Sequence, residues 1–186
     1  EVSNEDDFVS ALKKDTTIVL TNDIDISKEV NITEENIKII GEKDGKSFSF
    51  RVLYDKDNDV KGSIAVKAKN TTLENVTIEN ENPEKPGLTL YNAKTAKLSG
   101  IKISAIETTD KDKNNYHPGV AIDIFNTDVE LENITSNNSR YRDFQIRGGS
   151  TVTLLTPNTH STGVVHMQTI KKNGEEDNKI ESDLYI

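Results

Sequence analysis

Apolar and polar positions alternate in short runs along most of the chain, and one arrangement of them returns four times. Each repeat has a short alternating strand, a bend, and a second strand with a leucine at its first inward position. These anchor leucines are 25, 33 and 23 residues apart and are Leu73, Leu98, Leu131 and Leu154. Alternation puts every second side chain of a strand on one face. Strands that recur at such intervals are typical of solenoids, and the pattern predicts an all-β, right-handed parallel β-helix.

The bend between the two strands supports the same fold. Asn75, Gly100 and Asn133 each stand two positions after an anchor leucine. Asn and Gly tolerate a left-handed backbone, which a coil needs wherever it turns sharply. A β-sandwich is the alternative, but it requires hairpin turns between neighbouring strands. Asp44-Gly45 is the one strong hairpin signal, so we favour the solenoid.

The remaining segments extend the solenoid in both directions. Two further coils are predicted over residues 17–26 and 30–50, and a last one starts at 163–168. About seven coils at a strand spacing of roughly 4.8 Å make a rod on the order of 34 Å long. We expect one domain over 1–186, with a capping helix at 1–14 and coils at 15–170. Residues 171–186 are expected to form a turn, a final strand or a linker.

The capping helix is predicted from its ends and its apolar face. Ser3 or Asn4 can cap it, acidic residues fill its first turn and lysines its last, as the helix dipole favours. Its apolar face is expected to cover the first coil with Phe8, Val9 and Leu12.

Composition excludes several functions. The net charge is −9, from 32 acidic and 23 basic residues that are mixed along the sequence. An acidic chain without a basic stripe is a poor candidate for nucleic-acid binding. No apolar run is long enough for membrane insertion. There is no cysteine, and the three histidines lack metal-ligand spacing. We expect no cofactor, no metal and a monomer.

The opening of the chain resembles a known family. An amphipathic helix at 2–14 is followed by Leu20-Thr-Asn-Asp-Ile24 and then by Ile39-Ile-Gly41. This order is similar to the start of the pectate-lyase-like adhesive domains of Gram-positive wall-anchored proteins, and it covers roughly the first 50 residues. The resemblance implies a β-helix domain of an extracellular, cell-surface adhesin.

A candidate binding groove follows from the inserts between the strands. Long inserts fall at one phase of the repeat, at 79–87, 105–119 and 137–143. Inserts at one phase lie on one side of a solenoid and often build its binding face. Alternation then predicts which side chains point outward from the neighbouring strands. The predicted ligand-binding residues are Lys67, Tyr91, Asp123, Phe125, Gln145, Arg147 and His166.

Three functions remain open at this point. The first is a non-catalytic adhesive domain that binds a host or environmental glycan or protein. The second is a polysaccharide lyase or hydrolase, which needs clustered carboxylates and a basic residue. The predicted face offers just Asp123 beside Arg147, with Asp110, Asp112 and Asp143 in loops. The third is a structural spacer, because a fold alone does not determine a function.

Overall fold

The chain forms a parallel β-helix, as the repeat predicts. A computed structural model describes residues 1–105, 120–137, 142–155, 159–160, 165–168, 170–171, 179–180 and 183–185, and side-chain surroundings over 1–104, 120–136 and 144–155. The chain visits three parallel sheets in a fixed order, with one strand of each sheet per coil. Connections between parallel strands of one sheet are right-handed in almost every known case, and the solenoid is right-handed.

In the described parts of the chain, the helix and strands follow one another in six coils and the start of a seventh. Before the coils comes α1 (Glu5–Ala11), and the strands of the first two coils are β1 (Thr17–Val19), β2 (Ile24–Ile26), β3 (Glu29–Ile32), β4 (Lys38–Ile40), β5 (Glu42–Lys43), β6 (Lys46–Ser47), β7 (Ser49–Val52), β8 (Tyr54–Asp55), β9 (Val60–Lys61) and β10 (Ser63–Val66). The third to fifth coils contain β11 (Thr72–Glu74), β12 (Thr77–Asn80), β13 (Leu88–Tyr91), β14 (Ala96–Ser99), β15 (Lys102–Ala105), β16 (Val120–Phe125), β17 (Asp128–Glu132), β18 (Thr135–Asn137) and β19 (Arg142–Arg147). The rest of the chain contains β20 (Thr151–Leu155), β21 (Thr159–His160), β22 (Val165–Gln168), β23 (Ile170–Lys171), β24 (Lys179–Ile180) and β25 (Asp183–Tyr185).

Three sheets run the length of the solenoid. Sheet 1 is β1-β4-β11-β14-β17-β20-β25, sheet 2 is β2-β7-β12-β15-β18-β21, and sheet 3 is β3-β10-β13-β16-β19-β22. The pairs β5–β6, β8–β9 and β23–β24 are antiparallel hairpins outside these sheets. The predicted number of about seven coils is confirmed by the seven strands of sheet 1.

The anchor leucines form one continuous column inside sheet 1. Leu73, Leu98 and Leu131 are in register and almost fully buried, and Leu154 continues the column at the edge of the core. Ile18 and Ile39 extend it into the first two coils. Full burial of one such side chain stabilises a fold by about 1.5–3 kcal/mol. The anchors are unequally spaced in the sequence but stack in register, so this buried column fixes how the strands of sheet 1 align.

The corner between sheets 1 and 2 uses the predicted left-handed residues. The φ angles of Asn75, Gly100 and Asn133 are 52°, 65° and 53°. Their backbone N–H groups continue the ladder across the corner, since Asn75 N donates to Ser99 O at 2.8 Å and Gly100 N to Glu132 O at 3.0 Å. Asn75 also places its side-chain oxygen where a Cβ at position 100 would lie. Glycine at position 100 is thus required by both conformation and space.

A polar ladder that was not predicted from the sequence marks the corner between sheets 3 and 1. Asp15, Asn36, Asn70 and Thr95 all have φ between 54° and 60°. The Asn36 amide donates to Asp15 at 2.6 Å and the Asn70 amide donates to Asn36 at 2.8 Å. The Thr95 hydroxyl then donates to Asn70. Side chains of successive coils are therefore tied together along this edge.

Hairpins interrupt the second coil at two corners. Asp44-Gly45 closes β5–β6 as a two-residue loop with φ angles of 52° and 73°, the geometry of a type I′ turn. The hairpin signal in the sequence is confirmed. The β8–β9 hairpin lies between sheets 2 and 3, the corner at which the predicted inserts also fall.

The N-terminal helix covers the first coil, with two differences from the prediction. Asn4 caps it by accepting from the Asp7 N–H at 2.9 Å, and Phe8 is buried with its ring 4.7 Å from that of Phe50. Val9, however, is 49% exposed, because it lies about 100° around the helix from Phe8. The helix also ends at Ala11, so the lysines expected in its last turn lie beyond it.

Glu5 fixes the cap to the first coil. Its carboxylate accepts the backbone N–H groups of Ser27 and Lys28 at 3.0 and 3.1 Å and the Ser27 hydroxyl at 2.6 Å. Bonds to a charged acceptor are stronger than neutral ones, so a residue in the first helical turn holds the end of the solenoid closed.

Candidate functional site

Four of the predicted ligand-binding residues form one column on the outside of sheet 3. Tyr91 pairs in register with Phe125, and Phe125 pairs with Arg147. Lys67 follows Val66, the register partner of Leu90, and so stands on the rung before Tyr91. Parallel pairing without insertions inside the strands brings these side chains together, although they are far apart in the sequence.

The two aromatic side chains form a stack. The rings of Tyr91 and Phe125 are 5.0 Å apart between centroids, and their planes differ by 7°. Arg147 places its Cζ 5.4 Å from the centroid of Phe125. Gly148 directly follows Arg147, and a Cβ at this position would come within 2.7 Å of the Phe125 ring. Phe125 is therefore packed between its neighbours, whereas Tyr91 ends the stack and is 42% exposed.

Arg147 is committed to Asp123 instead of facing solvent alone. Its Nε and Nη2 donate to the two carboxylate oxygens of Asp123 at 3.0 and 2.5 Å. Asp123 is 3% exposed. Strand alternation correctly puts Asp123 on the outer column, but this residue does not line an open groove. The pair neutralises both charges, which leaves Arg147 poorly suited to capture an anion.

Gln145 and His166 continue the column that contains Asp123. Gln145 is 4% exposed and also does not line an open surface. His166 pairs with Gln145 through the backbone, and its side chain lies outside the described part of the structure. Of the predicted inserts, 106–119 and 138–141 lie outside the described residues, whereas 79–87 is described in full.

A shallow cavity of about 220 Å³ opens beside the exposed end of the stack. Ile64 and Ala65 of β10 contribute its apolar lining. Its polar and aromatic lining consists of Glu29, Ser63, Lys67, Lys85, Thr89 and Tyr91. Two of these, Lys67 and Tyr91, were predicted from the sequence, and the others were not.

The insert that carries Lys85 is held in place by two buried asparagines. Asn80 donates from its amide to the carbonyl oxygens of Asn82 and Lys85 at 3.2 and 3.0 Å. Asn82 donates to the carbonyl oxygen of Gly62 at 2.7 Å and accepts from the Glu84 N–H at 2.9 Å. Buried amides with satisfied hydrogen bonds fix the backbone that they bridge. Lys85 is therefore an exposed cation on an ordered loop.

Glu29 is the acidic group of the cavity. The Asn31 amide donates to its Oε1 at 2.9 Å. This hydrogen bond, aided by the Lys85 and Lys67 charges, holds the pKa of Glu29 below its ordinary value, against a partial burial that would raise it. Lys67 Nζ lies 3.9 Å from the same oxygen. The cavity thus contains one carboxylate and two ammonium groups.

A second depression, of about 430 Å³, lies on the outer face of sheet 1. It is larger, but its lining is mainly threonine hydroxyls and methyl groups with Lys97, Asp128 and Glu130, and it has no aromatic side chain. Asp128 also pairs with Lys94 at 3.4 Å. The smaller cavity on sheet 3 is the better candidate because it combines an open ring with charged and hydroxyl groups.

A lyase on this fold requires clustered carboxylates that can hold a cation, and a free basic residue. Among residues with described side chains, no three His, Cys, Asp or Glu residues lie together as metal ligands would. Asn126 has φ 46° at a coil corner, and its amide donates to the Asn92 side-chain oxygen at 2.7 Å. The corner geometry accounts for this residue. Within the same described part, no helix is both long and apolar enough to span a membrane.

Comparison with known proteins agrees with the architecture. No curated protein and no solved structure matched the chain. A family model did match, and its match extends well past the first 50 residues that carry the visible resemblance. That model describes a pectate lyase-like adhesive domain and covers residues 1–117, more than half of the sequence. The chain belongs to the family of pectate lyase-like adhesive domains.

Proposed function

We propose that this chain is a single, non-catalytic adhesive domain of a bacterial surface protein, and that it binds a glycan or protein at the cavity beside Tyr91. The observation that carries the proposal is the open ring of Tyr91, supported from behind by Phe125 and placed at the edge of the cavity. A rigid aromatic side chain with one open face is a common anchor for sugar rings and for peptide side chains.

The rigidity of the surroundings supports a binding role. Tyr91 stands on a strand with neighbours on both sides, and the Lys85 loop is tied to the coils by buried amides. A site built on such a scaffold loses little conformational freedom when a ligand binds. Membership in an adhesive family favours the same conclusion and an extracellular position on the cell surface. The opening of the chain is similar to domains of Gram-positive wall-anchored proteins, and this similarity supports a Gram-positive bacterial source.

The ion pair of Asp123 and Arg147 argues against the lyase alternative. A lyase of this type needs carboxylates free to hold a cation and a basic residue free to take a proton. Here the carboxylate and the guanidinium that face outward on neighbouring rungs bind each other.

A glycan and extracellular-protein array with the isolated chain tests the proposal. The chain is expected to capture at least one ligand, and Tyr91→Ala should reduce that capture about tenfold, as the loss of an aromatic anchor typically does. Tyr91→Phe keeps the ring and should bind nearly as well. Val9→Ala removes an exposed apolar side chain on the cap and serves as a control. Capture of nothing by the wild-type chain would favour the spacer function instead.

A further inference from the structure

We propose that the ligand of this cavity is an anionic saccharide, whose pyranose ring stacks on Tyr91 while its carboxylate or sulfate group lies between Lys67 and Lys85. This inference rests on the proposed function and adds the chemical class of the ligand. Its basis is the charge, the shape and the hydrogen-bonding groups of the cavity.

The charge of the cavity is opposite to that of the protein. The chain has a net charge of −9, yet two lysines and one glutamate line this depression. The two lysines come from separate segments, one directly after β10 and the other in the insert before β13. A locally positive recess attracts anions, whereas the acidic surface around it repels them. An anionic ligand is therefore directed to the recess and away from other parts of the protein.

Glu29 leaves the Lys67 ammonium group available to an anionic ligand. The distance of 3.9 Å between Lys67 Nζ and Glu29 Oε1 is too long for a hydrogen bond. Glu29 is instead hydrogen-bonded to the Asn31 amide. Exposed ion pairs with this separation contribute little, so an incoming anion can take the ammonium group without breaking a strong contact. Glu29 opposes such an anion electrostatically, which makes it a useful position for a test.

The shape of the cavity suits a sugar ring. Phe125 covers one face of Tyr91, and the partly exposed Tyr91 lines the cavity together with Ala65. Flat C–H faces of pyranose rings pack well on aromatic faces. Ser63 and Thr89 line the same recess, and their hydroxyls can donate to and accept from sugar hydroxyls. An acidic peptide would use the lysines but would have no comparable use for the open ring and the hydroxyls together.

Isothermal titration calorimetry of the 186-residue chain with four probes distinguishes an anionic saccharide from a neutral saccharide and from an acidic peptide. The probes are a heparin-derived hexasaccharide with sulfates, a hyaluronan hexasaccharide with carboxylates only, a neutral dextran hexasaccharide and a hexaglutamate peptide. We expect at least one anionic saccharide to bind, and the dextran and the peptide to bind at least about tenfold more weakly. Which anionic saccharide binds distinguishes sulfate from carboxylate recognition.

Matched variants then test the assigned groups. The double change Lys67→Gln and Lys85→Gln should weaken binding of the anionic saccharide about tenfold, because two charge contacts of about two- to fivefold each are lost. Glu29→Gln should strengthen it about two- to fivefold for the same reason. Lys102→Gln makes the same charge change on sheet 2 and should have no effect. Raising the salt concentration should weaken binding of the anionic saccharide and not of dextran.

The inference and the proposed function fail in different ways. If Tyr91→Ala abolishes binding while the lysine and glutamate variants leave it within twofold, the site stands and the anionic ligand is wrong. If hexaglutamate binds as tightly as the saccharides and follows the same variants, the ligand class is an acidic peptide and the inference is overturned. Absence of binding by both anionic saccharides also overturns it, and retention of binding by Tyr91→Ala overturns the site itself.

Discussion

Arg147 and Asp123 form a two-point ion pair across neighbouring rungs of sheet 3, with N–O distances of 3.0 and 2.5 Å. Both carboxylate oxygens and one edge of the guanidinium are used in this pairing. Such fork-shaped contacts are the strongest type of charged hydrogen bond in proteins. The pair lies on the outer face of β16 and β19, and each charged group is the partner of the other there.

Loss of one partner of this pair should destabilise the fold. Asp123→Ala leaves a mostly covered guanidinium without its carboxylate, and we expect the free energy of unfolding to fall by about 3 kcal/mol. Urea denaturation of the variant measures this. The double change Asp123→Leu and Arg147→Met should cost less than either single change, because no charge is left unpaired. A single variant with a loss below about 0.5 kcal/mol, the range of an ordinary surface change, would show that the pair is not closed in solution.

The same pair predicts the absence of lyase activity. The purified chain should release no unsaturated uronate from pectin, alginate or chondroitin, with or without Ca²⁺. The physical reason is that the outward carboxylate and guanidinium bind each other and have no free role as metal ligand and base. Ultraviolet absorbance of the unsaturated product is the measurement, and a heat-treated sample is the control. A rise above that control would restore the enzyme alternative.

The repeat and its turn residues could be predicted because their signals are local. Leu73 and Asn75 stand two residues apart, and the same pair of requirements returns in the next coils. A column of apolar anchors and a left-handed corner therefore follow from spacing alone. The corner ladder also left a signal that was missed, since Asn36 and Asn70 each precede by two residues the register partners Lys38 and Thr72.

The details of the site could not be predicted because they depend on distant contacts. Alternation correctly assigned Asp123 and Gln145 to the outer side of sheet 3, but it does not reveal whether the outer side is covered. Lys85 enters the cavity because Asn82 reaches the backbone of Gly62, which is 20 residues away in the sequence. Val9 was expected on the buried face, and its exposure follows from a helix of seven residues in which Phe8 is the buried side chain.

Gly100→Val tests the corner between sheets 1 and 2. A β-branched residue is strained at the observed φ of 65°, and its Cβ would also overlap the side chain of Asn75. We expect a loss of about 3 kcal/mol in the free energy of unfolding, from about 1–2 for the backbone and about 1 or more for the overlap. Urea denaturation is the measurement.

Gly45→Val is the matched control for this change. Its φ is 73°, and a Cβ there meets nothing within 4 Å. The control should therefore lose the backbone part alone, and the difference between the two variants isolates the contact with Asn75. Equal losses would mean that Asn75 does not occupy this space in solution.

Gly148→Ala should disturb the aromatic stack without changing any residue of the cavity. A Cβ at this position would lie 2.7 Å from the Phe125 ring, closer than carbon atoms approach one another, so the ring must move. Phe125 is the support of Tyr91, and its displacement should loosen Tyr91 as well.

The protein has five tyrosines and no tryptophan, so its near-ultraviolet circular dichroism reports chiefly on tyrosines held in fixed packing. The wild-type spectrum minus that of Tyr91→Phe gives the signal of Tyr91. The same difference measured in a Gly148→Ala background should be much smaller, and Gly45→Ala should leave it unchanged. An undiminished Tyr91 signal in the Gly148→Ala protein would show that Phe125 does not hold Tyr91 in place.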